Sequence, residues 1–183
     1  MKAPRRILPA ADGSLMAESE KLAAIETLGR LSNESRAVYE VWAQAHDGVR
    51  MPRYDDLHLK RVMTLMPSIL VVDVLPESHD YRYRQVGWRE VEARTVDPTG
   101  KTVRQCYEGE VLEFVLENYD LAVTNHEAFV DFSVDITASQ RYIETETLFL
   151  PLSQDGKTVT QVMVYSHYLD RPRRAPVDPE PNG

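Results

Sequence analysis

Residues 68–87 read SILVVDVLPESHDYRYRQVG. The first half, SILVVDVLP, is an apolar, β-branched run with prolines on both sides, the pattern of a strand covered on two faces. Residues 77–80 supply turn chemistry, and YRYRQVG at 81–87 alternates as an antiparallel return strand would. Two paired strands alone cannot bury enough surface to be stable, so this hairpin requires partners elsewhere in the chain. Upstream, DDLHLKRVMTLMP at 55–67 predicts a short helix stopped by Pro67. Downstream, WREVEARTV follows Gly87 as a short helical piece carrying Trp88 and Val91.

The partners lie at 128–169. AFVDFSVDI, 128–136, alternates, with Val130, Phe132, Val134 and Ile136 on one side and Asp131, Ser133 and Asp135 on the other. RYIETETLFLPLS, 141–153, is joined through an Asp-Gly turn, QDGK, to TVTQVMVYSHYL at 158–169, which makes a meander. Between the hairpin and the meander, residues 108–125 place apolar side chains at helical spacing, and Asn125 stops that helix. The order predicts an α+β domain: a five-stranded antiparallel sheet with helices inserted between strands two and three.

DPTGKTV, 97–103, contains Gly-Lys-Thr, the end of a phosphate-binding loop. The full pattern needs glycine five residues before Gly100, where Thr95 stands. Pro98 would also remove one N–H from the phosphate cradle. The segment follows no buried strand and opens no long helix, so it reads as a tight turn.

Ahead of the core, Ala24, Leu28, Leu31, Ser35, Val38, Trp42 and Ala45 recur in steps of three and four, one stripe of a helix close to a coiled-coil seam. Gly29 and SNES at 32–35 weaken its middle, and Ser32 is a candidate cap for a second helix. The stripe either packs on its own domain or also pairs with a second subunit. The expected organisation is a flexible leader at 1–16, a helical segment at 17–64, a core at 65–170 and a disordered, proline-rich tail at 171–183.

The formal charge is -8 with a pI near 5.1, which disfavours general attraction to nucleic acid or anionic lipid. No apolar run approaches membrane-spanning length and no signal peptide is evident. One cysteine in 183 residues excludes an intrachain disulfide and suits a cytoplasmic setting.

Several pieces, in this order and spacing, resemble the bacterial single-domain PAS family in which a Trp-bearing helix precedes the core. They are VYEVW (38–42), MPRYDDL (51–57), LMPSILVVDV (65–74), YRYRQVG (81–87), DPTGK (97–101) and ETLFLPLSQDG (146–156). The similarity spans roughly residues 36–168. It implies a PAS-like sensory or protein-interaction module able to hold a small ligand between the sheet and the long helix. The candidate lining is Trp88, Cys106, Phe114, Val115, Phe132, Val134, Thr147, Phe149, Met163 and Tyr165, residues that serve equally as the core of an empty domain. Leu28, Leu31, Val38 and Trp42 are the candidate dimer and signalling stripe.

The remaining chemistry is sparse. Cys106 sits in RQCYEG, without the Asn-Cys-Arg-Phe-Leu type motif of light-sensing flavin PAS proteins, and is expected to be an inert thiol. His126 ends the long helix, where a boundary role is commoner than haem ligation. No cofactor is therefore assigned, with haem and flavin both disfavoured. Glu144 and Glu146 share one strand face about 6.6 Å apart, a carboxylate spacing that is also ordinary for a solvated face. The expected function is a sensory or regulatory module without enzymatic activity. It would signal through a homodimer or an unidentified signalling protein, with a small apolar ligand. A ligand-free adaptor and a small cavity enzyme or carrier are the rival readings.

Overall fold

The structure, a computed structural model, describes residues 6–8, 23, 26–46, 50–136 and 142–169, with the backbone alone at 134–136 and 142–143. The expected tail at 171–183, most of the leader and the side chain of Val134 lie outside the described residues.

Among the described residues six strands form one antiparallel sheet: β1 (Arg6–Ile7), β2 (Ile69–Leu75), β3 (Asp80–Val86), β4 (Phe129–Ile136), β5 (Tyr142–Leu152) and β6 (Gln161–Leu169), in the spatial order β1-β4-β5-β6-β2-β3. Among the described residues the sheet is accompanied by the helices α1 (Asn33–Ala45), α2 (Trp88–Arg94), α3 (Val103–Cys106) and α4 (Gly109–Asn125), with residues 26–30 also helical ahead of α1. The hairpin β2–β3 joins the meander β4–β5–β6 through β2 and β6, with Leu70 opposite Val164 and Val71 opposite Met163. This antiparallel α+β arrangement is compatible with a PAS-like fold.

The strand count departs from expectation. Arg6 and Ile7 pair with Val130 and Phe129, and Leu8, 1% exposed, donates its N–H to the Ala128 carbonyl at 2.8 Å. These residues fall in the segment read as a flexible leader, because two strand residues are too few to create a periodic signal. The short helix expected over 55–67 is instead a succession of 3-10 turns, Tyr54–Asp56 and Leu59–Ser68, interrupted at Val62.

Both faces of the sheet are covered. On one, α1 and the 3-10 turns pack Val38, Trp42 and Val62 against Ile69, Val71, Val130, Leu148, Leu150 and Met163. On the other, α3 and α4 pack Val103, Tyr119 and Ala122 against Leu70, Val72, Tyr83, Phe129, Phe149 and Val164. Alternate residues of one strand thus feed two separate cores.

Ser32 divides the N-terminal helical segment, as one reading of the sequence had it. Its hydroxyl accepts the Ser35 N–H at the start of α1 (3.1 Å), and its own N–H and Oγ–H both reach the Glu146 carboxylate (3.0 and 2.8 Å to Oε2). Glu146, 3% exposed, therefore faces the α1 layer rather than solvent. At the other end of α1, the Trp42 indole N–H donates to the Pro151 carbonyl at 2.8 Å. Proline is tolerated there because β4 pairs with β5 only as far as Phe149, leaving β5 an open edge beyond it. Leu31, Val38 and Trp42 are 6%, 0% and 1% exposed, and Leu28 packs partly buried against the same core. The candidate dimer stripe is consumed by the chain's own sheet, so Leu31, Val38 and Trp42 offer no free seam to a second subunit.

Gly87 sits where no other residue fits: a Cβ there would stand 2.2 Å from the Pro67 carbonyl oxygen. The β5–β6 turn is held by Asp155, whose Oδ1 accepts from the Lys157 and Thr158 N–H groups (2.8 and 2.7 Å) and from the Ser153 hydroxyl (2.8 Å). Those donors, Thr158 and Lys157 first, hold its carboxyl well below the usual carboxylate range.

Two outcomes follow from these contacts. Ser32→Ala removes the cap of α1 and one donor to Glu146, and urea denaturation should show a loss of about 1–2 kcal/mol. Because the Asp155 carboxyl is depressed in the folded state, its stabilisation is present above the ordinary carboxylate range and is lost as pH falls through it. Asp155→Asn should therefore lower the melting temperature at neutral pH and shrink its further fall on acidification.

Candidate functional site

Between the sheet and α4 lies a cavity of about 270 Å³. Its roof is one stripe of α4: Val111, Phe114, Val115, Asn118 and Tyr119, in steps of three and one that keep one helical face. Its floor is built in rows by the strand register. Phe129, Phe149, Val164 and Leu70 stand opposite one another across β4, β5, β6 and β2. The next row is Asp131, Thr147 and Ser166, and the one after it Ser133, Thr145 and Tyr168. The floor thus passes from an apolar row to two polar rows.

The apolar end is aromatic. Phe129 and Phe149 stack at 4.7 Å, and Tyr119 meets Phe149 edge-on at 5.8 Å, geometries that suit ring quadrupoles. At the polar end the Ser133 and Thr145 hydroxyls share a 2.6 Å hydrogen bond.

One wall carries an ion pair. Arg94 Nη1 donates to Glu90 Oε2 at 2.5 Å and to the Glu90 carbonyl at 3.0 Å, while its Nε donates to the Tyr107 hydroxyl at 3.2 Å. The Tyr168 hydroxyl donates to the second oxygen, Glu90 Oε1, at 3.3 Å. Burial alone would lower the Arg94 pKa, but the Glu90 carboxylate outweighs it and holds the guanidinium above its ordinary value. Burial is also the main reason that the Tyr83, Tyr119 and Tyr168 hydroxyls are held well above the usual tyrosine range. These tyrosines are uncharged hydrogen-bonding groups at any physiological pH.

Of the residues anticipated from sequence, Phe114, Val115, Thr147 and Phe149 come together around this cavity. Others do not. Trp88 is 59% exposed. Gly87 pins the start of α2, and Glu90 and Arg94 turn inward one helical turn apart; Trp88, about 200° around the axis from Glu90, must then point out. Phe132, Met163 and Tyr165 belong to the α1 face. Their strands alternate, but the polar members face the cavity and the apolar ones the larger core, so the assignment of inner and outer sides was reversed. Cys106 packs half-buried against the aromatic cluster without lining the cavity. Burial pushes its thiol pKa up, which disfavours the reactive thiolate. His126 caps α4 in the left-handed conformation and is exposed, away from the cavity lining.

Asn118, Glu90, Arg94 and Asp131 were not anticipated. Glu90 and Asp131 are 1% and 5% exposed. A signal for two of these existed: Asn118 falls on the Phe114–Val115–Tyr119–Ala122 stripe, and Glu90 stands four residues before Arg94. Among the described residues no group of three or more His, Cys, Asp or Glu side chains is arranged to hold a metal ion. No helix among them is long and apolar enough to cross a membrane.

No family model and no curated protein matches the chain. A solved structure described as an RNA-binding Light-Oxygen-Voltage receptor is similar to it at 16% identity and a TM-score of 0.41. That alignment covers 77% of this chain and 35% of the receptor's chain, so the chain spans about a third of that protein's length.

The Glu90–Arg94 pair gives a double-mutant test. Arg94→Met strands a carboxylate at 1% exposure and should destabilise by about 3–5 kcal/mol. Adding Glu90→Leu should recover most of that loss, measured by denaturant titration of the single and double variants.

Proposed function

We propose that the chain is a PAS-like sensory or regulatory module that holds a small molecule in the cavity and reports its presence through protein contacts. The observation that carries this reading is the cavity itself, which combines an aromatic end with buried polar groups aimed at the space between sheet and helix. A ligand-free adaptor would gain stability from filling that volume with apolar side chains, as ordinary cores do. Keeping the Asn118 Oδ1 buried there without a partner costs stability, and a polar ligand offsets it.

The structure suggests a route from the site to the surface. Arg94 forms part of the cavity wall, and Trp88, on the same seven-residue helix, stands 59% exposed. A ligand that alters the packing of Arg94 would move α2 and with it the surface a partner meets. This replaces the N-terminal stripe as the signalling element. The RNA binding of the similar receptor is not carried over, because a chain of formal charge -8 has no general attraction for a polyanion.

Native mass spectrometry of the purified chain tests the reading. The wild type should retain a molecule of a few hundred daltons or less, and Thr147→Trp, which fills the cavity, should lose it. An unliganded wild type that becomes more stable when the cavity is filled would overturn the proposal.

A further inference from the structure

The cavity has unequal hydrogen-bonding capacity. Asn118 is 4% exposed, and its Oδ1 is buried without a hydrogen-bond partner among the described residues. Leaving a buried acceptor unsatisfied costs about 1–3 kcal/mol, so a residue of this kind on the roof of a cavity marks a place where a donor belongs. Asp131, also buried, brings a carboxylate to the same space. Across the cavity the cation is already matched: Arg94 gives its Nε and Nη1 hydrogens to Tyr107 and Glu90, and Glu90 balances its charge. An entering anion would meet one carboxylate and one amide oxygen, and would have to compete with Glu90 for the guanidinium.

Resting on the cavity reading above, we propose that this site takes a small planar aza-aromatic molecule, neutral or weakly cationic, whose N–H donates to Asn118 Oδ1. Three features set the class. A space of about 270 Å³ lies just under the roughly 300–1,000 Å³ of drug-sized pockets, which suits one or two fused rings. Phe114, Tyr119 and Phe149 present aromatic surface to a flat ligand. The unpartnered Asn118 Oδ1 is an acceptor, and a ring N–H is the donor that answers it. A purely apolar ligand would leave Asn118 as desolvated as before and gain nothing from it.

The test compares ring molecules that differ in one hydrogen. Adenine and benzimidazole, each with an N–H, should raise the melting temperature of the full chain and appear as bound mass in native spectra. 1-Methylbenzimidazole, which keeps the ring and loses the N–H, should bind about tenfold more weakly, the value of one hydrogen bond. Citrate should have no effect. Asn118→Leu should raise the melting temperature of the free protein and erase the difference between benzimidazole and its methylated form. Equal binding of those two compounds to the wild type, or a response to citrate alone, overturns the ligand class while leaving the cavity as a ligand site. No response to either N–H compound overturns it in every case; the reading of the cavity falls with it only when native mass also shows no retained molecule.

Discussion

Strand β2 pairs with β3 on one side and with β6 on the other, and the second of these pairings closes two distant parts of the chain into one sheet. Leu70 opposite Val164 and Val71 opposite Met163 join residues almost a hundred positions apart. Because the side-chain period of a strand is two, that register decides in a single step which residues face α1 and which face α4. A slip by one residue would send Leu70 to the larger core and Val71 to the cavity. The two-faced apolar character of Ile69–Val72 follows from this position: both sides of the strand are interior there, and its one charge, Asp73, stands where β2 becomes only partly buried and meets Arg84.

Much of the fold was readable because its signals are local. The β2–β3 hairpin, the Asp-Gly turn at 155–156 and the helix ending at Asn125 each carry their information within a few residues. So does Ser32, whose side chain does what an N-cap does. The cavity was half readable. Phe114 and Val115 announce themselves by helical spacing, and Thr147 and Phe149 by strand alternation. What alternation does not carry is which face has the ligand-sized space. In a sheet covered on one side, polar residues mark solvent; here a second layer covers that side too, so Asp131 and Ser133 are interior and Phe132 lies beneath α1. Glu90 escaped for a related reason. A lone glutamate in WREVEARTV resembles surface, and its burial depends on the approach of Gly87 to Pro67, a contact between segments twenty residues apart.

The two layers also divide the labour. The α1 side is densely apolar, with Trp42 and the Ser32–Glu146 contacts fastening its two ends. The α4 side mixes aromatic rings with hydroxyls, an amide and an ion pair around an unfilled volume. A densely apolar face thus backs one in which polar side chains surround the cavity.

The turn that looked like half a phosphate loop finds its use at the margin of the sheet. Gly100 donates its N–H to the Tyr83 carbonyl and Lys101 accepts from the Tyr83 N–H, so this segment occupies backbone groups of β3 that would otherwise face outward. At the far margin Arg6 and Ile7 do the same for β4. Unpaired strand borders invite a neighbouring molecule to add itself and start a polymer. A short piece of the domain's own chain lies along part of each border, at Tyr83 of β3 and at Phe129 and Val130 of β4, and shortens the template that either border offers to a copy.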